Sequence, residues 1–304
     1  MASSLVVVCF ACACAVSHKT VVQPSQAPGP LQSATREELL NRYNQQVHAI
    51  RSLNAGVTMK LTAGSAYSGV IEQYHEVNGF IMAARPASIY VIGQAPVVAK
   101  DIFTMVSDGS TFSIYIPSKN KFIVGPADLQ RRAEKPIENL RPQHLVDALF
   151  WPPITDREPV LFEEASEGPA RFYILTVARP DAVAPSGGIA DLQIAEKIWF
   201  NRTDLRVSRI EDFASGGTVA SDVSYANWQP TGTATYPWQI NVIRPGDDYE
   251  LQITIKKITV NEPIAADRFA LPQPPGTDLV RLGADTGDAA AHKDSGQKPK
   301  EPQP

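Results

Sequence analysis

The sequence predicts an α+β fold that is mainly β, built on an antiparallel sheet with a small helical component. Three observations carry this. Apolar residues recur at period two along most of the chain, turn signals separate those runs at short intervals, and only two stretches show helical spacing. Strands do not alternate with helices, which excludes a doubly wound parallel sheet. Residues 81–125 are the clearest case. Phe103 and Met105 fall on one face, Ile102 and Val106 on the other, and after Ser107-Asp108-Gly109-Ser110 the pattern resumes as Phe112, Ile114 and Ile116. Asp-Gly between two such runs is a hairpin signal, because Gly takes the positive φ of a tight turn. Pro86, Pro96 and Pro117 sit at run ends, where no ladder bond is lost. Both faces of these strands are largely apolar, so something must cover or fill the second one.

At the N-terminus, Leu5–Ala13 is an apolar run of nine residues, too short to span a bilayer and suited to a signal-peptide core. Two readings of its end stand. Ala11 and Ala13 before Cys14 form a lipobox-like end with Cys14 as the acylated residue and Cys12 as the alternative; otherwise the chain is cut as an ordinary signal peptide at Ala11-x-Ala13 or Ala13-x-Ala15. The first is favoured because cysteine occurs nowhere else. Met1-Ala-Ser-Ser carries no Lys or Arg, a departure that fits a start lying further upstream. Residues 1–14 are thus read as leader, and 15–34 as a polar, Pro-rich tether.

The folded region is expected over 35–282. It opens with Thr35-Arg-Glu-Glu38, a capping box, followed by Leu39, Tyr43, Val47 and Ile50 on one helical stripe. Period two begins at Gly56 with Val57, Met59 and Leu61. A strand is expected over 69–84, a third through Ile89 and Val91, and then come those described above. Residues 126–158 break the pattern. Within them, 141–151 reads as a short helix after Pro142, stopped by Pro152-Pro153. Strands return near 160–165, 170–178, 191–200, 204–213, 217–226, 236–243 and 249–260; the tail 283–304 lacks large apolar residues and reads as disordered.

Composition narrows the function. A net charge of −4 without basic clusters argues against nucleic acid as partner. All three cysteines lie in the first fourteen residues and the five histidines are scattered, which leaves no disulfide and no cysteine or histidine metal site in the body. Neither a nucleophile elbow, a zinc-protease motif nor a phosphate loop occurs, and no cofactor is implied. Ser107-Asp108-Gly109 is ordinary turn chemistry. Glu163-Glu164 and Asp247-Asp248 are adjacent acids, and neighbours on a strand point to opposite faces. A catalytic set is therefore not expected.

One resemblance is specific enough to name. Arg85-Pro86, an aromatic-containing strand, a loop at Pro96, then Val106-Ser107-Asp108-Gly109 and a strand ending Tyr115-x-Pro117 follow the order of the lipoprotein carriers LolA and LolB. Phe269-x-Leu-Pro-x-Pro-Pro-Gly276 looks like the approach to that family's last strand. The resemblance spans about 35–282 and leaves the insert 179–190 unexplained. It implies a curved antiparallel sheet forming an incomplete barrel, with a helical lid over a hollow that holds acyl chains. It implies exported, non-catalytic binding or transfer of acylated lipoproteins or lipids at the periplasmic face of an outer membrane, or in the periplasm, with membrane attachment through the N-terminal acyl group. The alternative is a lipid-sensing or structural envelope lipoprotein without transport, reporting to an envelope protein partner.

By the same resemblance Arg85 matches a residue that latches the lid; as a strand-end Arg it would otherwise snorkel to water. Val97 and Val98 match a membrane-facing loop; otherwise they pack at a strand end. Leu145, Leu149 and Phe150 match a lid helix; core packing explains them equally. Phe103, Met105, Phe112, Ile114, Tyr115, Phe122, Phe172, Ile174, Trp199, Phe200 and Trp238 are the candidates for cavity lining. Which sheet face is concave is not readable from the pattern. The expectation on which the rest turns is an apolar trough left vacant.

Overall fold

A computed structural model describes residues 29–64, 72–129, 139–180 and 192–283. Cys12, Cys14, most of the tether, residues 181–190 of the insert and all but the first residue of the 283–304 tail lie outside the described residues.

Helix α1 runs Arg36–Ala49 and begins as its capping box requires. The Glu38 amide donates to the Thr35 hydroxyl (3.2 Å), and the Thr35 amide donates to the Glu38 carboxylate (2.8 Å). Its stripe of Leu39, Tyr43 and Val47 is buried. Strands follow in order: β1 Ser52–Ala63, β2 Glu72–Gln73, β3 Val77–Ala84, β4 Ser88–Gln94, β5 Asp101–Ser107, β6 Thr111–Ile116 and β7 Lys121–Pro126. After helix α2, Pro142–Leu149, come β8 Val160–Glu167, β9 Ala170–Pro180, β10 Leu192–Asn201, β11 Arg206–Phe213, β12 Val219–Thr231, β13 Ala234–Arg244, β14 Tyr249–Val260 and β15 Asp278–Arg281.

All pair into one sheet of order β15-β7-β6-β5-β4-β3-β1-β14-β13-β12-β11-β10-β9-β8, with β2 on β1. Two runs of hairpins, β3–β7 and β8–β14, are joined where β1 pairs antiparallel with β14. One expectation is corrected. The strand foreseen over 69–84 is, where described, a two-residue β2 and a separate β3. The last strand, which follows the expected approach at 269–276, is the one parallel member among the described pairs: β15 lies along β7, with Leu279 beside Phe122, after the chain crosses back over 261–277.

Among the described residues the sheet does not close, β15 and β8 being its edges. It is nevertheless strongly curved. Helix α2 packs on β4 and β5 and also accepts hydrogen bonds from β12 and β13. On a flat sheet the six strand spacings between β5 and β12 would amount to about 29 Å, far more than one helix covers. The mainly β, incomplete-barrel class is what the structure has.

Curvature gives the sheet an inner face, which carries both helices, and an outer one. Ile81, Ile89, Val91, Leu175, Ile198, Ile240 and Ile253 point inward and join the helices in one apolar cluster. On the outer face Met82, Val106 and Tyr90 pack against Phe269, Ile264 and Leu271. The C-terminal segment is thus what covers the second apolar face of the 81–125 strands.

Candidate functional site

The space between helices and sheet is occupied by the protein itself. From the helical side come Leu39, Tyr43, Val47, Leu145, Val146, Leu149, Phe150 and Trp151, all buried and all in contact with the inner-face cluster. The vacant trough expected from the sequence is therefore corrected: in this conformation the helices fill it. Leu145, Leu149 and Phe150 point into that interior.

The candidate lining residues divide between the faces. Phe103, Met105, Ile114, Phe200 and Trp238 belong to the inner cluster or pack on it. Phe112 shares the face of Ile114 and lies under the Arg141 guanidinium, 5.7 Å from its ring centre. Tyr115, Phe122, Phe172, Ile174 and Trp199 sit on the opposite, outer face, away from the helices, although Phe122 and Ile174 are buried there. Tyr115 and Phe122 are register partners of each other and alternate with Ile114, while Ile174 and Trp199 are partners that alternate with Leu175 and Ile198. Aromatic residues occupy both parities in these strands, so type alone did not separate them.

The cover is fastened at its helix ends. Carbonyls of a helix's last turn have no partner within the helix. Arg85, just beyond β3, donates to three carbonyls: Ile50 (Nε, 3.1 Å) and Val47 (Nη2, 3.1 Å) at the end of α1, and Trp151 (Nη2, 2.9 Å) beyond α2. Its guanidinium also lies 5.2 Å from the centre of the Phe150 ring. It does not simply reach for water, because a planar fork suits several carbonyls at once. From the far side of the sheet, Tyr225 on β12 donates to the Ala148 carbonyl and Tyr236 on β13 to that of Leu149, each at 3.0 Å. The helices are tied to each other as well. Tyr43 stacks on Trp151 with ring centres 5.6 Å apart and donates to the Pro152 carbonyl, and Asn44 exchanges two hydrogen bonds with Ile154.

Sequence reasoning found Arg85 but not Tyr43, Asn44, Trp151, Tyr225 or Tyr236. The available signal was the tyrosines themselves, whose hydroxyls need partners when buried. What they would pair with depends on strands far apart in the chain.

Beside α2 lies a polar cavity of about 320 Å³, with Asp128, Arg141, Gln143, His144, Asp147, Arg244 and Asp247 in its wall. His144 Nδ1 is 2.7 Å from the Tyr249 hydroxyl. Burial, with Arg244 and Arg141 nearby, pushes its pKa down to about 3, so the imidazole is neutral at neutral pH. Under Arg85 a second void, of about 10 Å³, is lined by Gln46, Val47, Ile50, Leu149, Phe150 and Trp151. It is no larger than one water molecule. Neither space accepts a hydrocarbon tail unless the cover moves.

An ionic group lies under the same cover. Glu196 on β10 is only 3% exposed and stands directly across from Asp212 on β11. Arg179 on β9 bridges Glu196 (2.8 Å) to Glu158 on the segment after α2. The second oxygen of Glu196 is buried with no hydrogen-bond partner. Burial raises the Glu196 pKa, and burial together with Glu196 and Asp147 raises that of Asp212 to about 7.

The β4–β5 loop projects. Val97 is 94% exposed and Val98 71%, so neither packs at the strand end, and that expectation is corrected. Backbone bonds from Ala95 to Lys100 and from Ala99 to Ala95 close the loop and push its tip outward. Phe80 and Ile102, also partly exposed, lie on the two strands flanking β4. The Asp108 turn is used locally. Its carboxylate accepts from the Ser110 and Thr111 amides, and the Ser107 hydroxyl donates to the Thr111 carbonyl. Among the described residues no group of acids and histidines is placed to hold a metal ion, and no helix is long and apolar enough to cross a membrane.

No family model matches the sequence, and no curated protein does. Solved structures with a similar course of chain include a LolA superfamily protein from Nitrosomonas europaea (11% identity, 79% of this chain and 99% of that one, TM-score 0.46). A DUF1329 family protein from Desulfovibrio piger follows (13% identity, 77% and 95%, TM-score 0.46). A third is a putative outer membrane lipoprotein-sorting protein domain from Vibrio parahaemolyticus (8% identity, 77% and 97%, TM-score 0.45). At these identities and scores the likeness assigns no role to any residue.

Proposed function

We propose that this protein is a non-catalytic binder of acylated cargo, a lipoprotein or lipid of the bacterial envelope, and that an acyl chain is held between sheet and helices when the cover lifts. The observation that carries this reading is the way the cover is held. A largely apolar inner face is closed by two helices whose ends are fastened to it by a few polar bonds, Arg85 foremost. An eight-residue helix such as α2 has little stability of its own, so its order depends on those bonds and on the surface beneath.

The energetics suit weak, reversible binding. Transfer of a chain from water is worth about 0.8 kcal/mol per methylene. A chain entering from a membrane gains almost nothing, and here it must also displace Leu145, Leu149 and Phe150. Exchange of one apolar filling for another leaves affinity small and specificity low, as a carrier requires. Cys14, with Cys12 as alternative, is the proposed acyl anchor, and Val97 with Val98 the proposed membrane contact.

The packed interior favours a second reading, an envelope lipoprotein whose cover never opens and whose role is structural. Mass spectrometry of protein purified without detergent, joined to titration with a fluorescent acyl probe, separates the two. Bound lipid or saturable probe binding supports the carrier. Absence of both, in the wild type and in Arg85→Leu, leaves the scaffold.

A further inference from the structure

Two acids face each other under the cover, and the role proposed above does not use them. Glu196 and Asp212 are cross-strand partners on the inner face, and like charges directly opposite one another in a sheet repel. Glu196 has one oxygen on Arg179 and the other buried without a partner. A proton on either residue removes this repulsion, because only one of the two then carries charge.

The surroundings tie the pair to the cover. Asp147 of α2 acts on Asp212, and Arg179 joins Glu196 to Glu158, which follows α2. Tyr43 from α1, Tyr225 from β12 and Arg244 from β13 also lie in electrostatic reach. With every carboxyl ionised, the acids Glu196, Asp212, Asp147 and Glu158 face the cations Arg179 and Arg244 among the described residues. Asp147 belongs to the cover and Asp212 to the sheet, so their repulsion pushes the two apart, while the Arg179 bridge keeps Glu158 on Glu196.

We infer that the Glu196–Asp212 pair is a proton-operated release for the helical cover, leaving it down when one of the two is protonated and loosening it when both carboxylates are charged. This rests on the reading that the helices lift. In this closed structure burial makes both acids hold their protons more tightly than a carboxyl in water does. The stabilisation is therefore present in acid and is lost as pH rises from the ordinary carboxylate range through about 7.

The test is amide hydrogen exchange of residues 142–155 in the full chain between pH 5.5 and 8, corrected for the intrinsic rate, with 77–94 as internal reference. The expected result is protection of 142–155 that falls about ten-fold across this range, the reference being unchanged. In Asp212→Asn the profile should be flat and protection high throughout. A flat wild-type profile overturns the inference. So does a carbon-13 titration that places Asp212 below pH 5, a measurement on the wild type that stands even if the variant fails to fold. Acyl-probe titration at both pH values is the separate arm. Loss of protection without probe binding at either pH keeps the release and rejects the carrier, whereas binding with equal affinity at both pH values and a flat exchange profile does the reverse.

Discussion

Replacing Arg85 by leucine removes the donor shared by three helix-end carbonyls while keeping most of the apolar stem. Hydrogen bonds from a charged donor contribute about 1.5–3 kcal/mol each when isolated, but these three share one half-exposed group and are not additive. A net loss of about 3 kcal/mol is the reasonable scale, or roughly a hundred-fold in the equilibrium between closed and lifted cover. The assay pairs urea unfolding with hydrogen exchange of 142–155. Arg85→Leu should expose that segment about a hundred-fold more often, with a smaller effect in β10–β12. Arg85→Lys should recover only part, because an ammonium cannot span three carbonyls as a fork does. A leucine variant within about 0.5 kcal/mol of wild type, exchanging at the same rate, would falsify the latch.

Other variants probe the remaining fastenings and the proposed attachment to membranes. Tyr225→Phe and Tyr236→Phe each strand a buried carbonyl, of Ala148 or Leu149, and should cost about 1–3 kcal/mol in urea unfolding, with fluorescence as readout. Effects under about 0.3 kcal/mol for both would mean that those carbonyls find other donors. Val97→Asp combined with Val98→Asp should leave the melting temperature within about 1 °C, because both side chains are exposed, yet reduce co-sedimentation with anionic vesicles. Unchanged sedimentation removes the loop from the membrane contact. Cys14→Ala should move the protein from the membrane pellet to the soluble fraction. If it remains in the pellet, and Cys12→Ala also fails to release it, the acyl anchor is wrong.

Much of the architecture was legible because local chemistry decided it. Thr35 and Glu38 announced α1, Pro142 and Pro152 bracketed α2, and Asp108-Gly109 marked the hairpin that the Asp108 carboxylate organises. Period-two runs located nearly every strand. What stayed hidden depends on residues distant in sequence. The parallel seat of β15 beside β7 has no local signature, since a four-residue strand pairs wherever an edge is free. Alternation told that Ile114 and Tyr115 face opposite ways but not which way was inward. That choice is made by α1 and α2 landing on one side and Phe269 on the other. The vacancy failed as an expectation for a related reason. An apolar face reads the same whether cargo or the chain's own Leu149 and Trp151 will lie on it.

The pairing of β1 with β14 has a consequence for how the polypeptide reaches this state. The strand that opens the sheet, Ser52–Ala63, finds its second neighbour only in Tyr249–Val260, so one of its sides stays bare until almost the whole chain is present. Such long-range pairing is slow to form, and an unsatisfied ladder invites association with other chains in the meantime. Fragments ending before residue 249 should therefore be sticky rather than merely inactive, and the two meanders await a common keystone that is among the last strands to emerge.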